Sequence, residues 1–197
     1  MTELVMPLLR WYLALQLVTL AVLPLTARVF ANLPDRGYTL AKMLGVLLVS
    51  VTLWLGVAYG IIRNDRGGVW LALLITAGVS AVVGRSVVAR FVAPPRPRLP
   101  WRAMLLAETL FLIAFLAWAL VRAYDPAANH TEQPMDLMFM NSIWVSDAYP
   151  PRDAWLSGYA ISYYYLGYWM LTTLGRLAEL PPAIASNVGQ ASWFGLL

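Results

Sequence analysis

Long apolar stretches alternate with short polar ones along this 197-residue chain. Several apolar stretches approach the ~20 residues that a helix needs to cross the hydrocarbon core of a bilayer. The pattern therefore predicts an all-α fold, a polytopic transmembrane helix bundle of five to six spans. The predicted spans are 11–27, 43–62, 68–84, 103–121, 160–177 and a segment from 183 that is still apolar at 197. Because no polar flank closes that last segment, we expect the sequence to stop inside a membrane helix.

The longest polar interval is 122–159, and it divides the chain into three parts. Residues 1–121 are predicted to form an N-terminal four-span membrane bundle, 122–159 an outer loop, and 160–197 two further membrane helices. Inside the loop, the segment TEQP at 131–134 is typical of a helix start, because proline fits the first turn and acids favour the positive end of the helix dipole. The apolar residues that follow predict a short helix lying in the membrane interface.

Charge fixes the expected orientation of the bundle. Arginines crowd the proline-rich linker at 85–102, which should be extended for much of its length. The positive-inside rule places this linker in the cytoplasm, and therefore places the acidic loop outside a multi-pass protein of the plasma membrane. The net charge of +4 is then a signal of topology, and we expect no nucleic-acid partner. The chain has no cysteine and one histidine, which excludes thiolate chemistry and a zinc site of several histidines.

Two acids in the loop are candidates for chemistry. Glu132 and Asp136 are four residues apart, so a continuous helix would place them on one face. Together they could bind a divalent cation such as Mg²⁺ or Mn²⁺, or one could act as a general base while the other orients it. The alternative is that both only cap and solvate the helix.

Aromatic residues follow the acids along the chain. Asp153 can cap the segment after two prolines, and Trp155 stands where an interfacial anchor belongs. Tyr163, Tyr164 and Tyr165 then gather at the predicted outer end of the fifth span. They are interpreted either as an aromatic belt at the headgroup level or as a wall that stacks on and hydrogen-bonds a sugar ring or lipid headgroup.

Three charged residues bear on membrane chemistry. Arg122 and Arg152 are the outer cations nearest the acids, and either could bind a lipid phosphate. Glu108 lies within a predicted span and is costly there unless it finds a partner or faces the interior, so we expect it to snorkel or to pair with Arg102.

Five spaced segments resemble a known family: LPDRGYTLAKMLG at 33–45, RAYDP at 122–126, TEQPMD at 131–136, PPRDAWLSG at 150–158 and ISYYYLGY at 161–168. Together and in this order they resemble the uncharacterised integral membrane proteins named for their Tyr-Tyr-Tyr motif. Members of that family are longer than this chain, and the resemblance implies no established activity.

A more distant resemblance connects the chain to the GT-C class of membrane glycosyltransferases. An acidic motif on a large outer loop, an interfacial helix and a Pro-Pro-Trp segment before the next span are similar to that class. The resemblance implies the N-terminal part of a GT-C-like fold and transfer of a sugar from a polyprenyl-phosphate donor at the outer face, with Glu132 or Asp136 as the loop acid. Three extra spans precede the loop, and two acids four residues apart replace the adjacent Asp-Glu pair of the class. By this analogy the isolated chain should be inactive without later helices.

Two other classes of function are open. The chain could be a non-catalytic subunit or scaffold that packs against membrane lipids or other membrane subunits, since each motif also has a capping, belt or linker explanation. A transporter is disfavoured, because Glu108 is the only acid within a predicted span and transport sites combine several polar groups at mid-membrane.

Overall fold

A computed structural model describes residues 2–92, 100–147 and 149–197 of the chain. Those residues form eight α-helices and no strand, which confirms the prediction of a helical membrane bundle. Part of the arginine- and proline-rich linker, at 93–99, lies outside the described residues, and its first 8 residues form a helix where the sequence predicts an extended chain. The helices are α1 Thr2–Val29, α2 Tyr38–Ala58, α3 Arg66–Val83, α4 Arg85–Val92, α5 Trp101–Tyr124, α6 Gln133–Val145, α7 Leu166–Ala178 and α8 Pro182–Leu196.

Four of these helices, α1, α2, α3 and α5, are long and apolar enough to cross a membrane. They correspond to the first four predicted spans. Helices α7 and α8 contain 13 and 15 residues, fewer than the ~20 that a complete crossing requires. We call the end of the bundle where α5 ends the loop end, and the opposite end the linker end.

The first three helices form the tightest part of the bundle. Helix α1 packs along both α2 and α3. Gly45 makes the α1–α2 contact possible, because a Cβ atom at this position would overlap the backbone carbonyl of Val18. Helices in a membrane gain no hydrophobic free energy by leaving lipid for one another. They associate instead through close packing at small residues such as this one.

Helix α7 is the centre of the fold, which differs from the membrane span predicted at 160–177. It begins only at Leu166, and it packs against α1, α2, α3, α6 and α8. Every residue from 171 to 178 is buried. Because Arg176 near its C-terminus contacts Asn64 in the α2–α3 turn, this end of α7 lies at the loop end. The prediction that Tyr163, Tyr164 and Tyr165 mark the end of the fifth helix nearest the outer loop is therefore wrong, because the C-terminal end of α7 lies there.

Helices α6 and α8 are aligned with this central helix in opposite senses. Helix α6 runs parallel to α7, since Asp136 contacts Tyr168 near both starts and Trp144 contacts Arg176 near both ends. Helix α8 returns antiparallel to α7 and also lies along α5, which has few other contacts in the bundle. Residues 126–165 therefore pack a helix, two turns and an extended segment onto the bundle instead of leaving a free loop.

A polar cluster joins α1, α2 and α5 inside the membrane-spanning region. Glu108 forms an ion pair with Lys42, and the exposed fractions of the two side chains are only 16% and 5%. Its carboxylate also accepts hydrogen bonds from Tyr12 (3.0 Å), Gln16 (3.0 Å) and Tyr38 (2.6 Å). The sequence-based prediction that Glu108 pairs with Arg102 is thus wrong. Helix α2 starts before residue 43, so its first turns carry Lys42 into the bundle.

Candidate functional site

The candidate site is built on the first turn of α6. Glu132 is the N-cap residue and Asp136 lies one turn later, with the Asp136 N–H donating to the Glu132 carbonyl at 2.9 Å. Pro134 occupies the first turn, where its missing N–H costs nothing. Both acids therefore belong to one helix start, as the sequence predicts. Glu132 is exposed and Asp136 is half-buried.

Tyr168 holds the carboxylate of Asp136. Its hydroxyl donates a hydrogen bond of 2.5 Å to Oδ1 of Asp136, which links the first turns of α6 and α7. The ring of Phe139 stacks between this tyrosine and Tyr163, with centroid distances of 5.5 and 5.2 Å. Tyr168 is the site residue that sequence reasoning did not select, because the start of α7 at Leu166 was not predicted.

Tyr163 and Tyr164 complete an aromatic surface beside the acids. Their rings stack at 3.9 Å, and the Tyr163 hydroxyl donates to that of Tyr164 at 2.5 Å. This hydrogen bond is the main reason that the pKa of Tyr163 rises to about 12, with desolvation and then the charges of Tyr164, Glu132 and Asp136 adding to the effect. The two carboxylates and the two tyrosines therefore share one electrostatic environment. We call Glu132, Asp136, Tyr163, Tyr164 and Tyr168 the acid–tyrosine cluster.

Tyr165 points away from this cluster. Its hydroxyl accepts a hydrogen bond from Nε1 of Trp54 on α2 at 3.4 Å, and its ring lies 6.5 Å from that of Tyr149. Tyr149 in turn packs edge-on against Trp54 at 5.4 Å. The three consecutive tyrosines are thus divided two and one, because the chain turns between them, with the Tyr165 N–H donating to the Tyr163 carbonyl at 3.0 Å.

The segment 150–155, which contains the two prolines and Trp155, forms a separate turn. Oδ1 of Asp153 accepts the N–H groups of Trp155 at 2.8 Å and Leu156 at 2.9 Å, so this acid caps a turn. Arg152 donates its backbone N–H to the hydroxyl of Ser146, and its side chain is exposed. Trp155 is 68% exposed. No hydrogen bond among the described residues joins these side chains to the acid–tyrosine cluster.

Arg122 lies in a different place again. It is 9% exposed, and its Nε donates to Oδ1 of Asn187 on α8 at 2.8 Å. Asn187 also donates to the carbonyl of Pro126, which fixes the chain where it leaves α5. The two arginines proposed from the sequence as phosphate ligands are therefore set on separate elements.

A second polar region lies at the loop end, beside the α2–α3 turn. Arg176 donates to the backbone carbonyls of Asn64 and Trp144, and its guanidinium lies 5.1 Å from the Trp144 ring. Asn64 donates to the carbonyls of Ile143 and Ser146, both at 2.8 Å. These bonds close the ends of α2, α6 and α7 around a polar cleft of about 520 Å³. They explain how a buried arginine is accommodated there.

The donor set limits what metal the cluster could bind. Across the described residues, no group of three or more His, Asp or Glu side chains comes together. Glu132 and Asp136 supply two carboxylates from one turn. Two carboxylates are fewer than the ligands of a cage made only of protein groups.

The fold and the four long apolar helices define an integral membrane protein of helical type. A family model described as an uncharacterised membrane protein, DUF2298, matches residues 48–197, and the chain belongs to that family. The matched range includes the whole acid–tyrosine cluster. Comparison with the curated proteins and with the solved structures finds no match.

Proposed function

We propose that this protein is a membrane glycosyltransferase, or the part of one that holds the catalytic acid, and that it transfers a sugar from a polyprenyl-phosphate donor at the acid–tyrosine cluster. The observation that carries the proposal is the carboxylate of Asp136, held by Tyr168 beside stacked tyrosines at the start of α6. A positioned acid next to an aromatic surface is what a sugar-transfer site requires.

In the reaction, the acceptor hydroxyl attacks the anomeric carbon and gives its proton to a carboxylate. The bond from that carbon to the lipid phosphate breaks, and the phosphate leaves with the electron pair, which inverts the configuration. Asp136 is the better-positioned base, because the Tyr168 hydrogen bond fixes its carboxylate and leaves one oxygen for the acceptor. Glu132, exposed and one turn earlier, is the alternative base or orients the acceptor.

The sugar ring would lie against Tyr163 and Tyr164. Their stacked rings offer a flat face, and the Tyr163 hydroxyl is kept protonated, since its pKa is raised to about 12. Protonated hydroxyls can donate hydrogen bonds to sugar oxygens at neutral pH. Tyr165, Asp153 and Trp155 would act around this site by shaping the segment and anchoring it in the interface.

A divalent cation, if the reaction uses one, would be held by Asp136 and Glu132 and would neutralise charge on the leaving phosphate. Arg122 and Arg152 are the candidates for a direct phosphate contact. Arg152 is the exposed one and could approach a ligand without breaking a buried contact.

The test is sugar transfer by the full-length natural protein in lipid, with a panel of radiolabelled polyprenyl-phosphate hexoses as donors. Asp136→Asn should lower the rate by about 10²- to 10⁴-fold, the usual contribution of a general base. Glu132→Gln serves as the second variant, and Asp147→Asn, an exposed acid just after α6, is the matched control. Unchanged rates in both cluster variants would rule out the assignment.

A second candidate function is a non-catalytic subunit of a larger membrane complex. One observation favours it: the Asp136–Tyr168 bond joins two helices, so both residues have a structural role without any substrate. Copurification separates the two functions. A stoichiometric membrane partner that survives Asp136→Asn but is lost when Tyr163, Tyr164 and Tyr165 are changed to Ala would favour the subunit.

A further inference from the structure

A cavity of about 380 Å³ opens at the loop end between α1, α5 and α8. Its lining is apolar apart from two side chains, those of Arg122 and Asn187. The lining shares no residue with the acid–tyrosine cluster. A cavity of this size is in the range that binds small ligands or a part of a larger one.

The cation in this cavity is buried and lacks a carboxylate partner within the described residues. Arg122 is 9% exposed, and its hydrogen bond to Asn187 uses only Nε. The ion pairs of the described chain are Lys42–Glu108, Arg66–Glu179 and Asp125–His130, so none includes it. Burying a guanidinium is expensive unless an anion or several acceptors surround it. The remaining N–H groups of Arg122 are not fully enclosed by the protein, so they are accessible to an anionic ligand in the cavity.

The surroundings select the kind of anion. Leu8, Ile184 and Val188 give the cavity an apolar wall, and Ile184, on the α8 side, is 38% exposed. Arg122 lies in the last turn of α5, a helix long and apolar enough to cross a membrane, and lipid headgroups are expected near the ends of such a helix. A ligand with a phosphate next to an alkyl chain can contact both Arg122 and the apolar lining of the cavity, whereas a free phosphate can contact only Arg122.

We propose that this cavity binds a phospholipid of the surrounding leaflet, with its phosphate on Arg122 and the first part of its acyl chain between α1 and α8. The lipid would then complete the contact of α5 with the bundle, which rests mainly on α8. This site goes beyond the proposed sugar transfer, since it needs neither Asp136 nor a sugar.

The test counts lipids that stay bound to the purified protein. The chain is taken from nanodiscs made of equal parts phosphatidylcholine and phosphatidylglycerol and is analysed by native mass spectrometry. Wild type should retain one phospholipid. Arg122→Gln should lower its occupancy about tenfold, because a charge-assisted contact in a dry site is lost. Arg63→Gln, which removes an exposed arginine of the α2–α3 turn at the same end of the bundle, should leave the occupancy unchanged.

A second variant keeps the test valid if Arg122→Gln folds poorly. Ala119→Phe fills the cavity and leaves Arg122 in place, so it should also displace the lipid. Added inorganic phosphate should not compete with the phospholipid, whereas it would compete at a simple anion site. Equal occupancy in wild type and Arg122→Gln, loss in Arg63→Gln, displacement by inorganic phosphate, or retention only of an added polyprenyl phosphate would each overturn the proposal.

Discussion

The ion pair between Lys42 and Glu108 should be the most costly polar contact to break in this bundle. It lies inside the spans of α2 and α5, with side chains 5% and 16% exposed. Helix α5 makes few contacts outside α8, so the pair is also its main polar connection to α1 and α2. Removing one charge leaves the other in a medium where it cannot be hydrated.

The two single substitutions should differ in size. Breaking a buried ion pair costs about 3–5 kcal/mol of stability. In Lys42→Met the Glu108 carboxylate keeps three neutral donors, so we expect a loss near the lower limit, about 3 kcal/mol. In Glu108→Gln the ammonium loses its only carboxylate and keeps one neutral amide oxygen and aromatic faces at 5.2 Å, fewer partners than the Glu108 carboxylate keeps in Lys42→Met, so we expect about 4–5 kcal/mol.

The double variant Lys42→Met with Glu108→Gln removes both charges. It should be more stable than the sum of the two single losses predicts by about 2–3 kcal/mol, because neither change then leaves an unpaired charge. Reversible unfolding by SDS titration in mixed micelles, followed by circular dichroism, gives the free energies for this cycle. Arg102→Met is the control, since the exposed arginine expected from the sequence to pair with Glu108 should cost less than about 0.5 kcal/mol. Additive losses, or single losses as small as that of the control, would refute the reasoning.

Three further predictions concern packing, the α2–α3 turn and pH. Gly45→Ala should cost about 1–3 kcal/mol, because its Cβ would overlap the α1 backbone, whereas Gly78→Ala, which meets open space, should be neutral or stabilising; thermal unfolding in detergent compares them. Asn64→Ala should cost about 2–3 kcal/mol by freeing two carbonyls, while the exposed amide change Asn141→Ala should cost little, and SDS unfolding measures both. The pKa of Tyr163 is raised to about 12 in the folded state, so its contribution to stability is complete below pH ~10 and is lost as the pH rises to about 12. Tyr163→Phe should therefore make thermal stability fall less steeply across that interval. An equal slope in both proteins would contradict this.

The apolar runs predict the four long helices well, because each must bury its backbone polar groups within itself in a membrane. Their ends are less predictable. The predicted second span starts at 43, after the polar residues Tyr38 and Lys42, although α2 includes both. Hydropathy alone places a lysine outside a predicted span. It cannot show that a carboxylate on another helix lies at the same depth and pairs with that lysine. The partner of Glu108 was missed for that reason.

The first turn of α6 is also predictable, since acids and a proline at a helix start have local causes. The orientation of the tyrosines has no local cause. Tyr163, Tyr164 and Tyr165 were expected at the end of one helix, on which they would point in three directions about 100° apart. They lie in a turn before α7, where Tyr163 packs on Phe139, Tyr164 stacks on Tyr163, and Tyr165 lies beside Trp54.

Because α7 is an apolar helix buried within the bundle, hydropathy alone predicts a membrane span at 160–177 where the structure has a short helix. A short apolar helix and the start of a membrane span have similar composition, and only length separates them. The polar residues near the end of α7 carry the missing information. Arg176 would be an ordinary flanking cation if the helix crossed the bilayer, but it donates to two backbone carbonyls at the loop end and is 6% exposed. Because these acceptors belong to the α2–α3 turn and to α6, Arg176 connects α7 to both of them. The same arrangement sets Tyr168 opposite Asp136, so the geometry of the candidate site depends on a helix that the membrane does not need for crossing.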